Sequence, residues 1–386
     1  MDTPSNDAPV FNAVAFRKNL HRFPELSLEE VNTSQTIARV LSSFGLKPVT
    51  EIGGHGLFCI IEGEDEGETT LIRADFDALP IEEQAQHDHV SANHGVMHAC
   101  GHDGHTTSLL KVAQQLAEHP PKSGQVVLLF QPAEEIGTGA ASMLTHPALR
   151  DLTVDNAYAY HNLPGYPLHQ IVVKTDTFAC ASTGVSITLT GKTSHAARPE
   201  NGISPTNTMM DIMQLLQGMP QRFPDAFSLV TIVHAQLGEA AYGVSPGEAK
   251  VMATMRSECN ETFQAMQTLL TEALQEFRAQ SGLDIYVEWD EPFNATVNSR
   301  QHVSMLVEQA NQLGLSVHQL DEPMRWSEDF AEFLLKWRGA MFCIGSGTHH
   351  PELHNPDYDF PDDIMDTAAS LFVALIRRQH GLTQDL

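Results

Sequence analysis

The chain has 386 residues and a formal net charge of −27, from 22 Lys and Arg against 49 Asp and Glu. That length exceeds one ordinary hydrophobic core, and that charge disfavours nucleic acid and anionic membranes as partners. With 42% apolar residues the composition suits a globular protein, and no run approaches the roughly 18 apolar residues of a membrane-crossing helix. The opening stretch MDTPSNDAPV has neither the basic segment nor the apolar core of a signal peptide, so a cytoplasmic protein is expected. Cys59, Cys100, Cys180, Cys259 and Cys343 are odd in number and widely spread, unlike a disulfide framework. All but Cys100 read as buried small hydrophobes.

In chain order, residues 11–44 carry an amphipathic pattern broken near Pro24. A helix is predicted over 29–44, with Val31, Ile37, Val40 and Leu41 on its buried face. Residues 57–61 and 69–73 are short β-type runs around an acidic, glycine-containing turn. A helix over 106–118 ends at Pro120 and Pro121, a strand follows over 126–130, and a short helix starts within 137–145. This alternation predicts a sheet covered by helices. After Thr177 the pattern changes: strand 185–190, helix 205–216, strands 227–233 and 249–256, helix 262–280 and strand 285–289. That β-α-β-β-α-β order is ferredoxin-like. From about Ala295 longer helices return, with a strand at 341–344 and a terminal helix over 364–378. The predicted architecture is an α/β domain with a central mixed sheet, over 1–177 and 295–386, interrupted by an inserted ferredoxin-like α+β domain over 178–294.

The densest chemical cluster is HACGHDGH, from His98 to His105. Cys100 and His102 lie directly before the predicted helix, where a turn can aim a thiolate and an imidazole at one point. Both donors suit a borderline-soft divalent ion. One loop does not close a catalytic coordination sphere, and FQPAEEIG supplies carboxylates. Glu134 and Glu135 follow a predicted strand, and neighbours on an extended backbone project in opposite directions. One can then bind metal while the other approaches a water. His161 in YHNLPG and His354 in LHNPDYDF are further nitrogen donors. Spacing leaves His349 and His350 as competitors of His354, and leaves Asp75 and Asp103 eligible as ligands. Each residue taken singly is equally well explained as a hydrogen-bonded polar group. The case rests on several segments arriving at comparable strand ends, where α/β sheets place their sites.

The segments FRKNLHRFPELS, LIRADFDALPIEE, HACGHDGHT, FQPAEEIGTGA, HNLPG, GKTSHAARPENGISP and LHNPDYDF span nearly the whole chain. Together they resemble the amidohydrolase branch of the M20 metallopeptidase family, which includes aminoacylase-like, hippurate and indole-3-acetyl-amino-acid hydrolases. The resemblance implies a catalytic domain with two divalent metal ions, and an inserted lid or dimerisation domain that makes a homodimer. It implies Cys100, His102, Glu135, His161 and His354 as metal ligands and Glu134 as general base. Related carboxypeptidases carry a metal-binding histidine where Asp75 stands, so Asp75 and Asp77 fall to a supporting role. Asp77, Asp103 and His105 would hold ligand histidines in orientation. In the inserted domain, His195 matches a family histidine that reaches the substrate, often from the partner subunit, and would stabilise an oxyanion. Arg256 is a candidate receiver of a substrate carboxylate. Gly243 stands where the family commonly has asparagine, which bears on substrate pose.

The implied reaction is hydrolysis of the amide of an N-acyl amino acid, with Glu134 taking a proton from water and returning it to the departing amine. Mn, Zn, Co and Ni all tolerate a Cys/His/Glu donor set. The main competing reading is a dipeptidase or carboxypeptidase acting on short peptides. A noncatalytic metal-binding protein leaves the Glu134–Glu135 pair unexplained, because a closed structural site needs no spare carboxylate. A Cys100 nucleophile would predict activity that survives metal removal.

Overall fold

The run from Val126 to Phe130 shows how the main sheet is built. Val126, Leu128 and Phe130 enter one core with Ile37, Leu41 and Leu110, while Val127 and Leu129 enter another with Phe178 and Phe333. A strand covered on both faces carries a continuous apolar run, and this one, Ser123–Gln131, is such a strand. The computed structural model describes residues 11–383 and joins it into an eight-stranded mixed sheet. The spatial order is Val49–Ile52, Gly56–Glu62, Ser123–Gln131, Asp65–Asp75, Asn156–Pro164, Gly339–Gly347, Ile171–Val173, Val317–Gln319. The four strands Ser123–Gln131, Asp65–Asp75, Asn156–Pro164 and Gly339–Gly347 run parallel. Their carboxyl ends therefore open at one rim, with Asp75 paired to Gln131.

A second, fully antiparallel sheet has the order Ser228–Leu237, Glu248–Ser257, Ala181–Thr190, Asp284–Phe293. Read from its last strand this is fourth, first, third, second, the ferredoxin-like arrangement. Helices Thr206–Gly218 and Asn260–Ser281 share its core through Ile212, Leu216, Met266 and Leu270, against Val185, Ile187 and Leu189. The chain thus pairs a large mixed sheet with an additional α+β subdomain, as its sequence predicts. Among the described residues no helix is long and apolar enough to cross a membrane.

Several local expectations change. The first region divides into helices Ala13–Arg22 and Val31–Ser43, and Val31 is 44% exposed. The Glu25 carboxylate accepts the N–H groups of Asn32 and Thr33 at 3.1 and 2.7 Å, so the buried face of that first turn is Thr33 and Ser34. The helix expected from Thr106 begins at His102. Glu134 and Glu135 lie in a turn beyond the strand end, because Ala133 takes a left-handed φ of 52° and ends the extended chain. Cys59, Cys180 and Cys343 are buried, but Cys259 is partly exposed and its Sγ meets Glu261 at 2.9 Å. The opening stretch from Met1 to Val10 lies outside the described residues.

Candidate metal centre

Gly101 caps the helix His102–Glu118 with φ 94°, and a Cβ there would run into the Asn162 side chain and the Tyr358 hydroxyl. The tight reversal brings Cys100, His102 and His161 together, with one donor atom of each within 4.8 Å of the others. Cys100, Glu135 and His354 form a second such group, and His102, Glu134 and Glu135 a third. Cys100 Sγ is 3.3 Å from His161 Nε2 and 3.4 Å from His354 Nε2. Glu135 bridges the histidines: its Oε1 is 3.7 Å from His102 Nε2 and its Oε2 is 3.7 Å from His354 Nε2. His354, with a left-handed φ of 64°, is held by its N–H donating to Ala99 O at 2.8 Å. Its competitor His350 donates instead to Asp359 O at 2.7 Å.

A layer of carboxylates stands behind these donors. Asp77 Oδ1 meets His102 Nδ1 at 3.1 Å, and Asp77 Oδ2 accepts the Glu135 N–H at 3.0 Å and the Ser27 hydroxyl at 2.7 Å. Asp75 lies 3.8 Å from His102 Nε2, but both of its oxygens already hold charged or polar partners. Arg73 donates to Oδ2 and His105 Nδ1 sits 2.6 Å from Oδ1, while His105 Nε2 contacts Asn162 Oδ1. Asp103 turns elsewhere, with its Oδ2 3.0 Å from His21 Nδ1 and 3.3 Å from Arg17. It therefore supports no histidine of the cluster.

The electrostatics follow from burial and from crowded carboxylates. Burial pushes the Cys100 thiol well up, as do Glu135 and Glu134. Burial, with His105 and His102 nearby, holds His161 neutral, well below the usual imidazole range. Burial also opposes charge on His102, yet Asp75, the Asp77 hydrogen bond and Glu135 raise it to about 10. Glu135 is raised to about 8 by burial and then by Asp77 and Asp75, against the pull of His102. Glu134 is raised well above the carboxylate range by burial, Glu328, Asp329 and Glu135. The upward shifts of Cys100, His102, Glu134 and Glu135 report burial together with crowded negative charge. His102 Nε2 and Glu135 Oε1 are buried, face each other and have no hydrogen-bond partner among the described residues. Donors held at about 2.1 Å from one ion lie roughly 3–4 Å apart, so a divalent cation fits this spacing. The overlapping groups Cys100–His102–His161 and Cys100–Glu135–His354 fit a dinuclear divalent-metal active site.

The three residues expected from the inserted domain do not hydrogen-bond to this cluster among the described residues. His195 is exposed on a two-residue strand paired with Val244–Ser245, its Nδ1 accepting the Ala197 N–H at 3.1 Å. Gly243 accepts from Ala196 N–H at 3.0 Å, with open space where a Cβ would stand. Arg256 donates to Arg325 O at 2.9 Å and to the Ser327 hydroxyl at 3.3 Å.

Several site residues escaped the sequence reading. Arg73, fully buried, binds Asp75, Glu328, Asp329 and Gln131. Asp329 N–H donates to Glu134 Oε1 at 3.4 Å. Trp326 lies against His161, with ring centroids 5.7 Å apart. Two signals were present: an arginine inside the apolar strand LIRAD, and in WSEDF an adjacent acidic pair resembling Glu134–Glu135.

The model of peptidase family M20/M25/M40 matches residues 71–378. N-acetylcysteine deacetylase of Bacillus subtilis is 31% identical over 369 residues, 94% of this chain and 95% of that one. Hippurate hydrolase of Campylobacter jejuni is 29% identical over 362 residues, covering 93% and 94% respectively. Among solved structures, the YXEP protein of Bacillus subtilis, a dinuclear metal-binding peptidase of the M20 family, superposes with a TM-score of 0.79. It is 29% identical, over 94% of this chain and 96% of that one. With that motif order, that fold and that cluster of donors, the chain belongs to peptidase family M20, in its amidohydrolase branch, and is a metal-dependent amide hydrolase.

Proposed function

We propose that the chain hydrolyses the amide bond of N-acyl amino acids, releasing a carboxylic acid and an amino acid. Cys100, His102, Glu135, His161 and His354 would hold two divalent ions, drawn from Mn, Zn, Co or Ni, and Glu134 is the general base. One observation carries this reading. Glu134 is buried beside the donors yet, among the described residues, its carboxylate accepts a single long bond, from Asp329 N–H, while its neighbour Glu135 spans His102 and His354. Bound there, the ions would supply Lewis acidity to the scissile carbonyl and the attacking water. Glu134 takes a proton from the attacking water and returns it to the departing amine nitrogen. Burial and the carboxylates of Glu328 and Asp329 make Glu134 a stronger base than a free glutamate. Asp75 and His105 satisfy each other and Arg73, which supports a bracing role for them, and Asp77 orients His102.

Substrate contacts extend the proposal to the inserted domain, taken as 178–294 between catalytic segments 1–177 and 295–386. His195 stabilises the oxyanion from the partner subunit of a homodimer. Its exposure and its distance in sequence from the cluster suit delivery in that way. The dimer forms through the edge strand Ser228–Leu237, where Val233 is 57% exposed and Leu237 also faces solvent. Arg256 receives the substrate carboxylate, and Gly243 leaves room in the pose that asparagine would fill. Trp326 offers an apolar wall beside His161 for the acyl group. Free thiols at all five cysteines suit a reducing compartment, hence the cytoplasm. By name the two related enzymes act on N-acetylcysteine and hippurate, N-acyl amino acids with different acyl groups. A panel of N-acetyl, benzoyl and indole-acetyl amino acids beside dipeptides tests the reading. The highest kcat/KM is expected on an N-acyl amino acid; preference for dipeptides with a free amino terminus would favour the peptidase reading instead.

A further inference from the structure

A second group of metal donors lies outside that centre. His21 on the helix Ala13–Arg22, His87 in the segment after Pro80 and Asp359 in the C-terminal loop each bring one donor atom within 4.8 Å of the others. Glu83 stands between the two histidines. Its Oε1 is 3.2 Å from His21 Nε2 and 3.1 Å from His87 Nε2, and Asp359 Oδ2 is 3.9 Å from His87 Nε2. Donors that share one ion lie roughly 3–4 Å apart, as these three pairs do.

Three features favour a cation over a knot of hydrogen bonds. Both ring nitrogens of His87 are shut off from solvent and have no hydrogen-bond partner among the described residues. Nε2 is close to Glu83 yet not aligned for a hydrogen bond, a geometry that an ion between them would satisfy. Buried polar atoms are nearly always paired, so this imidazole needs an explanation. Its ring is also held in place, stacked on His89 at 3.7 Å with a 7° interplanar angle. Second, Asp103 Oδ2 engages His21 Nδ1 at 3.0 Å, which leaves His21 Nε2 as the coordinating nitrogen. A carboxylate behind a histidine is the usual brace of a metal ligand. Third, Asp103, Asp359 and Asp362 gather around Arg17, and Glu83 stands beside His21, while Lys18 reaches Asp362 at 3.8 Å. Arg17 takes Asp359 Oδ1, and Oδ2 lies 3.0 Å from His89 Nε2 and 3.9 Å from His87 Nε2. A protonated His21 shared by Asp103 and Glu83 would account for His21, but it leaves His87 without a partner.

We propose that His21, Glu83, His87 and Asp359 form a further divalent-cation site of the zinc class, separate from the hydrolytic centre. Two imidazoles and two carboxylates suit zinc, and four protein donors close the coordination sphere as structural zinc sites do. The ion ties the first helix, the segment 81–97 and the C-terminal loop together beside the loop that carries Cys100. The site is defined by its ligands and stands independently of the hydrolytic reading.

Crystals of the full chain grown with zinc, mapped by anomalous scattering at the zinc edge, give the test. A peak between His21 Nε2, His87 Nε2 and Glu83 is expected, absent in His87→Leu, with one zinc fewer per chain by mass spectrometry. Zinc should raise the Tm of wild type more than that of His87→Leu. Glu83→Gln, which keeps the shape of the side chain, should lose the same peak if His87→Leu fails to fold. No peak at saturating zinc, or an unchanged zinc count in a folded variant, overturns the proposal. Failure of the hydrolytic reading would instead remove the peaks near Cys100 and His161 and leave this one.

Discussion

Asp77 joins two parts of the site, one oxygen on His102 and the other on the Glu135 backbone and Ser27. An asparagine keeps the size but loses the charge that fixes the histidine's tautomer and strengthens it as a donor. Asp77→Asn should weaken metal binding by about 10–100-fold, measured by chelator competition. An unchanged affinity would remove Asp77 from the metal's support. At this scale much was legible: Cys100, His102, Glu135 and His354 stand in quotable motifs, and the structure gathers their donor atoms. Direction was not legible. His102 and Asp103 are adjacent in sequence, but successive helical positions point about 100° apart, so one faces the cluster and the other Arg17. Nor does a sequence tell which acidic pair meets a buried arginine, which is why Glu328 and Asp329 were missed.

Among the elements, the helix His102–Glu118 has the most bearing on the site. Its residues from His102 to Leu110 are all buried, so no polar face marks its first turns and the periodicity signal begins late. The inserted subdomain was easier to read. Glu248–Ser257 alternates between buried and more exposed residues, which is the pattern a strand with one covered face must show. The three-residue strands Ile171–Val173 and Val317–Gln319 hold too short a period to be seen. Gly101 fixes where the helix starts, and its φ of 94° is open to few residues besides glycine. Gly101→Ala should cost about 1–3 kcal/mol from the backbone alone, and more from the collision with Asn162 and Tyr358. Thermal unfolding checks this, and a Tm equal to wild type would contradict the tight reversal.

Across the whole molecule, His21 links the first helix, the first turn of the helix His102–Glu118 and the segment around Glu83. Burial lowers its pKa, but the hydrogen bonds that its ring donates to Asp103 and Glu83 outweigh burial and lift it from 6.5 to about 9. A folded value above the unfolded one means the native chain holds the proton. The resulting stability is fully present below about 6.5 and is lost as pH rises through about 9. The shift corresponds to roughly 3 kcal/mol. In urea titrations of metal-free protein, the advantage of wild type over His21→Gln should shrink by that order between about pH 6 and about pH 10. An equal advantage at both would show that His21 is not held charged by the fold.

The central claim is a metal centre beside a carboxylate kept free for proton transfer. Metal content and turnover of Glu134→Gln, measured on one sample against wild type, test it most directly. The variant should carry the wild-type metal complement while kcat falls by about 10²–10⁴. A kcat near wild type with the metals in place would contradict the account.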